Sequence, residues 1–146
     1  MENRETKYWI ITASKEHVKN GVQGNFAQAC HGKATPLKKM KKGDFVIYYS
    51  SKEYFDKKDK CQEFTAIGQV KSNDIYQFEM TPEFCPFRID IDFLESKDIS
   101  IIPLINELDF IPNKQKWGYP FRWGTLQIDQ NDFQLISKLM LYEQEN

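Results

Sequence analysis

The sequence is poor in the residues that build metal centres and disulfide frameworks. Its 146 residues include only three cysteines, Cys30, Cys61 and Cys85, and only two histidines, His17 and His31. The cysteines are odd in number, lie far apart and form no Cys-x-x-Cys pair. A disulfide framework and a four-ligand zinc site are therefore not expected. We predict reduced thiols, no bound metal and no tightly bound organic cofactor.

Long apolar runs are absent as well. No apolar stretch approaches the roughly 20 residues that a membrane-spanning helix requires, so no membrane contact is expected. Residues 1–5 are mostly charged and lack the apolar stretch of a signal peptide, which makes the cytoplasm the expected compartment. Hydrophobic residues at 40% and charged residues at 28% are typical of a globular protein, and the length predicts a single domain over residues 1–146.

Charge is distributed unevenly along a chain whose formal net charge is −1. Residues 1–70 contain 13 Lys and Arg against 8 Asp and Glu, whereas residues 71–146 contain 7 against 13. This polarity can steer a short nucleic-acid segment towards the basic half, although a nearly neutral protein is not expected to coat a long duplex. Lys-rich turns that keep strand ends soluble produce the same pattern, and charge alone favours this second interpretation.

Short apolar segments predict about six strands, with helices near both ends of the chain. Ser14 is expected to cap a helix over residues 15–19, and Asp129 to cap the final helix. We predict an α+β protein whose mixed strands curl into a small open β-barrel with flanking helices. The predicted strands cover residues 8–13, 45–50, 64–70, 75–80, 87–93 and 124–128. The predicted single core contains Trp9, Ile11, Phe45, Ile47, Ile67, Ile89, Ile91 and Phe133.

Two sets of side chains are candidates for catalysis. Cys30 and His31 are adjacent, but consecutive residues of an extended chain point apart, and a buried small thiol explains Cys30 as well. Strand 87–93 alternates without interruption and places Asp90 and Asp92 on one face. These carboxylates could act as an acid–base pair, or they form a solvent-facing row balanced by Arg88. A small hydrolase or RNA-modifying enzyme therefore remains an alternative.

Aromatic residues make up 14% of the chain, and several of them fall in irregular segments. Such rings line pockets and interfaces, and each can stack on a nucleobase for about 1–3 kcal/mol. Alternatively they cap the open ends of a small barrel, which is the interpretation that composition alone favours. The planar side chains near irregular segments are Phe26, His31, Tyr49, Phe78, Phe84, Trp117, Phe121 and Trp123.

A series of short motifs, in order along nearly the entire chain, resembles the EVE domain. This family belongs to the PUA-like superfamily and is related to the YTH domain. The matching segments are Tyr8-Trp9-Ile10 with Ser14, Gly24-Asn25-Phe26-Ala27-Gln28 with His31-Gly32-Lys33, Pro36-Leu37 with Met40, Gly43-Asp44 with Tyr48-Tyr49-Ser50, Phe64-Thr65-Ala66-Ile67-Gly68, Pro86-Phe87-Arg88, Pro103-Leu104, Trp117-Gly118 with Arg122, and Asp132-Phe133.

The resemblance implies a non-catalytic module that binds DNA or RNA and recognises one modified base in an aromatic pocket. YTH domains hold N6-methyladenine of RNA in an aromatic cage. EVE domains look like readers of modified bases, and these bases include modified cytosines in DNA. A monomer or weak dimer is expected. Phosphate contacts are expected from Lys33, Arg88 and Arg122. The expected base pocket contains Ser14, Phe26, His31, Tyr49, Ser50, Phe78 and Trp117.

Overall fold

A mixed sheet of seven strands forms the centre of the computed structural model, which describes residues 5–54 and 59–141. The strands are β1 (Tyr8–Thr12), β2 (Phe26–Ala27), β3 (Phe45–Lys52), β4 (Lys60–Gln77), β5 (Phe87–Phe93), β6 (Ile99–Ser100) and β7 (Thr125–Ile128). Their order is β2-β5-β4-β3-β1-β7, and β6 pairs with β4 off this path. β1 and β3 run parallel, and the other pairs are antiparallel. The predicted α+β class is confirmed, and the sheet stays open.

Helices flank the sheet, and the first and last α-helices begin at side chains that the sequence singles out. The hydroxyl Oγ of Ser14 accepts a hydrogen bond from the backbone N of His17 at 3.4 Å, and Asp129 Oδ1 accepts one from Asp132 N at 2.9 Å. Within the described ranges, none of the helices combines the length and the apolar character needed to cross a membrane. The α-helices are α1 (Lys15–Gly24), α2 (Ala34–Lys38) and α3 (Gln130–Leu141), and the 3₁₀ helices are Cys30–Gly32, Ile102–Glu107 and Tyr119–Trp123.

Helix α1 is twice as long as the predicted segment 15–19. Gly21 does not end the helix; it lies inside it and is buried. A Cβ at this position would lie 2.7 Å from the carbonyl oxygen of Phe26, so Gly21 permits the close approach of the next segment. Asn25 takes the left-handed C-cap conformation, with φ 59°, and ends the helix instead.

The prediction of two separate strands over residues 64–70 and 75–80 is wrong, because one long strand, β4, covers the first segment and continues into the second. It runs unbroken through 18 residues, and its pairing with β5 shifts register between Val70 and Ile75. This irregularity bends one strand where the sequence pattern suggests a break. Strand β3 continues to Lys52, two residues beyond the end of the predicted strand 45–50; residues 55–58 lie outside the described part of the chain.

The expectation of one core is wrong, because the buried side chains form two layers on opposite faces of the sheet. Successive residues of β1 alternate between the layers: Ile10 belongs to the layer packed by α3, and Ile11 to the layer packed by α1 and α2. The predicted core residues divide in the same way. Ile47, Ile67 and Phe133 lie in the α3 layer with the partly buried Phe45, whereas the other layer contains Trp9, Ile11, Ile89 and Ile91.

A buried carboxylate joins the amino ends of the two parallel strands. Asp44, which precedes β3, is fully buried. Its Oδ1 accepts a hydrogen bond from Lys7 N at 3.1 Å, and its Oδ2 accepts bonds from Trp9 Nε1 and Lys41 N, both at 3.0 Å. These donors come from the start of β1 and from the turn before β3. One side chain therefore fixes the register at which the strands begin.

We expect Asp44→Ala to lower the free energy of unfolding by about 3 kcal/mol, because one buried and two partly buried donors lose a charged acceptor. Urea denaturation measures the change. Asp92→Ala is the control, because Asp92 is exposed and its ion pair with the exposed Lys71 is long, at 3.9 Å between Oδ1 and Nζ. This substitution should change the free energy of unfolding by less than about 0.5 kcal/mol. Equal effects of the two substitutions would contradict the role assigned to Asp44.

Candidate functional site

A cavity of about 550 Å³ opens where the parallel strands β1 and β3 end. Parallel strands place their carboxyl ends at the same edge of a sheet, and Thr12 and Tyr49 are register partners there. The volume lies within the range of small-molecule pockets, roughly 300–1,000 Å³. The lining residues come from every segment that reaches this edge: Thr12, Ala13, Ser14, His17, Asn20, Gly21, Phe26, Gln28, Ala29, Cys30, His31, Gly32, Tyr48, Ser51, Lys52, Met80, Phe84, Arg88, Phe121, Arg122 and Gly124.

One wall is a turn in which three successive residues have left-handed backbone angles. The φ angles are 51° at Cys30, 61° at His31 and 84° at Gly32. Only glycine adopts this region without strain, and strained non-glycine residues concentrate at functional sites. The turn is held by close packing, because a Cβ on Gly32 would lie 2.5 Å from the Cβ of Pro86.

Arg88 lies inside the protein, which corrects the prediction that it shares a solvent-facing row with Asp90 and Asp92. Its side chain is 8% exposed. Its Cζ lies 3.7 Å from the ring centroid of Phe26 and 4.0 Å from that of Phe78. Its Nε donates a hydrogen bond to Gln28 Oε1 at 2.7 Å. Burial lowers the pKa of the guanidinium, and within the described residues no carboxylate lies within 4 Å of it.

The connection between β4 and β5 brings two side chains to the cavity: Met80, which the sequence does not single out, and Phe84, one of the planar side chains near irregular segments. The backbone N of Phe78 donates to the carbonyl of Pro86 at 2.9 Å, and Met80 N donates to the carbonyl of Phe84 at 3.1 Å. This narrow loop lies beside Gly32, so Met80 and Phe84 line the cavity while remaining 51% and 39% exposed. The Thr81-Pro82 pair signals a break in the strand but not the position of the loop.

Half of the predicted site residues line the cavity: Ser14, Phe26, His31, Arg88 and Arg122. The pocket prediction for Phe26 requires adjustment, since the Arg88 guanidinium covers one face of its ring. His31 is exposed at the cavity edge, and Ser14 is buried as the cap of α1.

The other predicted residues lie outside the cavity lining for separate reasons. Tyr49 faces the α3 layer, where its ring stacks on that of Phe121 with the ring centroids 4.1 Å apart. Ser50 is fully buried, and its hydroxyl is 2.8 Å from that of Thr65. Trp117 packs against the α3 layer. The remaining two are Phe78, which lies against Arg88, and Lys33, which is exposed beside α2.

Several basic side chains line the cavity. They are His17, His31, Lys52, Arg88 and Arg122, and no Asp or Glu is found among the described lining residues. In addition, the hydroxyl Oγ1 of Thr12 is buried without a hydrogen-bond partner in the described chain. The site therefore offers hydrogen-bond donors, and it favours a ligand rich in acceptors or negative charge.

Of the groups considered for catalysis, Cys30 and His31 line the cavity, whereas Asp90 and Asp92 do not. The Cys30 thiol donates to the carbonyl of Trp123 at 3.5 Å. Asp90 Oδ1 accepts a hydrogen bond from the hydroxyl of Tyr76 at 2.7 Å, and neither Asp90 nor Asp92 lines the cavity. Burial and the hydrogen bond to Asp90 raise the pKa of Tyr76 to about 12.

A group of three carboxylates lies at the start of α3, away from the cavity. Oxygen atoms of Asp109, Asp129 and Asp132 lie within 4.8 Å of one another. Asp132 accepts hydrogen bonds from the backbone N of Asp109 and Phe110, both at 2.9 Å, while Asp129 caps the helix. These bonds explain the cluster as an anchor for the preceding loop, and the absence of a bound metal stays a prediction.

Comparison with solved structures defines the class of this fold. The YTH domain of Zygosaccharomyces rouxii MRB1, solved in complex with N6-methyladenosine RNA, superposes with a TM-score of 0.66 at 16% identity, covering 99% of this chain and 90% of the other. Human THYN1, solved with DNA containing 5-methylcytosine, gives 0.52 at 12% identity, covering 97% and 100%. The fold is therefore PUA-like.

Sequence comparison identifies the family within this class. The EVE domain family model matches residues 7–139. A UPF0310 protein of Mycobacterium avium is 47% identical over 132 residues, covering 90% of this chain and 96% of the relative. The chain belongs to the EVE domain family, as the motifs in its sequence predict.

We expect Gly32→Ala to destabilise the protein more than Gly43→Ala. Both glycines have positive φ, 84° and 95°, so each substitution introduces backbone strain of about 1–2 kcal/mol. Only at Gly32 would the new Cβ meet Pro86, which adds about 1–3 kcal/mol. Thermal or urea unfolding of the two variants measures the difference. Equal destabilisation would mean that the turn is not held against Pro86.

Proposed function

We propose that this protein is a non-catalytic nucleic-acid-binding module that takes one extruded, modified base into the cavity at the ends of β1 and β3. The observation that carries the proposal is the combination of aromatic and sulfur-containing walls with donor groups and no described carboxylate in the lining. Flipping a base out of a strand costs a few kcal/mol. Stacking and hydrogen bonds in such a cavity are of comparable size, so one modified group can decide which base is retained.

Phe84 is the side chain best suited to stack on the base. It lines the cavity and is 39% exposed, whereas one face of Phe26 is already covered by Arg88. Met80, from the same loop, offers a flexible and polarisable side chain beside it. His31 lies on the neighbouring turn and provides a second planar group.

Arg88 is the group best suited to the edge of the base. Its stacked faces and its bond to Gln28 hold the guanidinium in one orientation. The donors that remain in the guanidinium plane match acceptor atoms on a base, as arginine does in groove recognition. We assign Gln28 as a positioning residue that acts through Arg88. The role differs from the phosphate contact that the sequence suggests for Arg88.

Solved neighbours supply independent support for this class of ligand. One neighbour is a YTH domain in complex with N6-methyladenosine RNA, and the other is THYN1 in complex with DNA containing 5-methylcytosine. Transfer to this chain is part of the proposal. N6-methyladenosine RNA and 5-methylcytosine DNA are accordingly the first probes to compare with their unmodified strands.

We expect Phe84→Ala to weaken binding of the preferred modified strand about tenfold, as the loss of one stacking ring predicts. Fluorescence anisotropy with labelled single-stranded oligonucleotides measures the affinity. Leu94→Ala is a matched control, because Leu94 is similarly exposed, at 42%, and does not line the cavity. If Phe84→Ala bound every modified and unmodified strand as the wild type does, the base would not enter this cavity.

Lys33 remains a candidate phosphate contact outside the cavity. It is exposed at the start of α2. We expect Lys33→Ala to weaken binding about equally across sequences and to reduce the slope of log K against log salt by about one. Lys138→Ala on α3 serves as the control and should leave the slope unchanged. A changed base preference at constant slope would assign Lys33 to base recognition instead.

A further inference from the structure

An exposed cluster of planar side chains lies at the edge of the cavity on the 3₁₀ helix Tyr119–Trp123. Tyr119 is 60% and Trp123 is 65% exposed, the highest values among the exposed large hydrophobic residues of the described chain. The guanidinium carbon of Arg122 lies 3.3 Å from the ring centroid of Tyr119 and 4.3 Å from that of Trp123. We call Tyr119, Arg122 and Trp123 the aromatic rim.

Three contacts hold the aromatic rim in place relative to the cavity. The carbonyl of Trp123 accepts a hydrogen bond from the Cys30 thiol at 3.5 Å, and the carbonyl of Gly124 accepts one from Thr12 N at 2.8 Å. Phe121, in the middle of the same helix, stacks on Tyr49. Arg122 itself lines the cavity. A ligand that fills the cavity therefore meets the rim without any rearrangement of the backbone.

The edge of the Arg122 guanidinium is available for an anion although its faces are stacked. One N–H, on Nη1, donates to the carbonyl of Tyr119 at 2.9 Å. A guanidinium carries five N–H donors in one plane, and no carboxylate in the described chain lies within 4 Å of this group. Stacked faces and a free donor edge are the features with which arginine binds phosphate next to a base.

We propose that the aromatic rim binds the nucleotide adjacent to the one held in the cavity, with its base on Trp123 and the intervening phosphate on Arg122. The inference rests on the proposed function and adds to it a second subsite for a single-stranded segment. The choice of an adjacent nucleotide as the occupant follows from the position of Arg122, which belongs to both the cavity lining and the aromatic rim. The two subsites therefore meet where a phosphodiester would join two nucleotides.

The test removes the adjacent base rather than only the protein ring. Single-stranded RNA with one N6-methyladenosine, and DNA with one 5-methylcytosine, are compared with the same strands carrying an abasic site on the 5′ or the 3′ side of the modified nucleotide. For the wild type we expect one of the two abasic strands to bind about tenfold more weakly than the intact strand, as the loss of one base–aromatic stack predicts.

Variants then connect that loss to the rim. Trp123→Ala should weaken the intact strand to the level of the abasic strand and leave the abasic strand unaffected, while Trp123→Phe retains most of the difference. Arg122→Lys should keep the salt dependence but lose affinity, since an ammonium cannot stack between rings. Leu139→Ala, at an exposed position on α3, should change none of these values.

The outcomes separate this inference from the proposed function. If both abasic strands bind the wild type as tightly as the intact strand while Phe84→Ala still weakens binding, the rim assignment is overturned and the cavity assignment stands. The rim assignment is also overturned if Trp123→Ala weakens the binding of intact and abasic strands equally. In that case the ring would support the structure of the protein and would not stack on the adjacent base. If no strand binds the wild type at low salt, both proposals fail.

Discussion

The parallel pairing of β1 with β3 is the constraint on which the rest of the structure depends. It places the amino ends of both strands at one edge of the sheet and the carboxyl ends at the other. At the first edge Asp44 accepts hydrogen bonds from Lys7, Trp9 and Lys41 and fixes where the strands begin. At the second edge the departing chain segments surround the cavity. The strand pair thus separates an end held by Asp44 from an end that opens into the cavity.

The burial of Arg88 beside the cavity is unfavourable for the stability of the fold. Burying a cation without a carboxylate partner is unfavourable, because water is lost and no opposite charge replaces it. The rings of Phe26 and Phe78 and the amide of Gln28 replace part of that hydration. An apolar residue in the same place would avoid the cost but offer no directed donors. Residues that are less stabilising than an apolar alternative at the same position are concentrated at functional sites in proteins.

Local patterns in the sequence predict the elements well and the distances between them poorly. Strand β5 and the Asp129 cap were predictable because alternation and capping are properties of neighbouring residues. Alternation also assigned Arg88 to a solvent-facing row, but Phe26 and Phe78, from other segments, cover it. Met80 reaches the cavity only because its loop folds beside Gly32. The resemblance of the motifs grouped Ser14, Phe26 and His31 in one expected pocket, and these three residues from separate segments line the cavity.

The pairing of β7 with β1 has a consequence for the order in which the protein matures. It joins the last strand of the described chain to the first, and the segment before β7 supplies Phe121, Arg122 and Gly124 to the cavity. A chain emerging from the ribosome presents its amino-terminal strands first, and contacts between residues far apart in sequence form late. The cavity therefore lacks one wall until residues 119–128 have been synthesised. A nascent chain carries most of the sheet well before the cavity is complete.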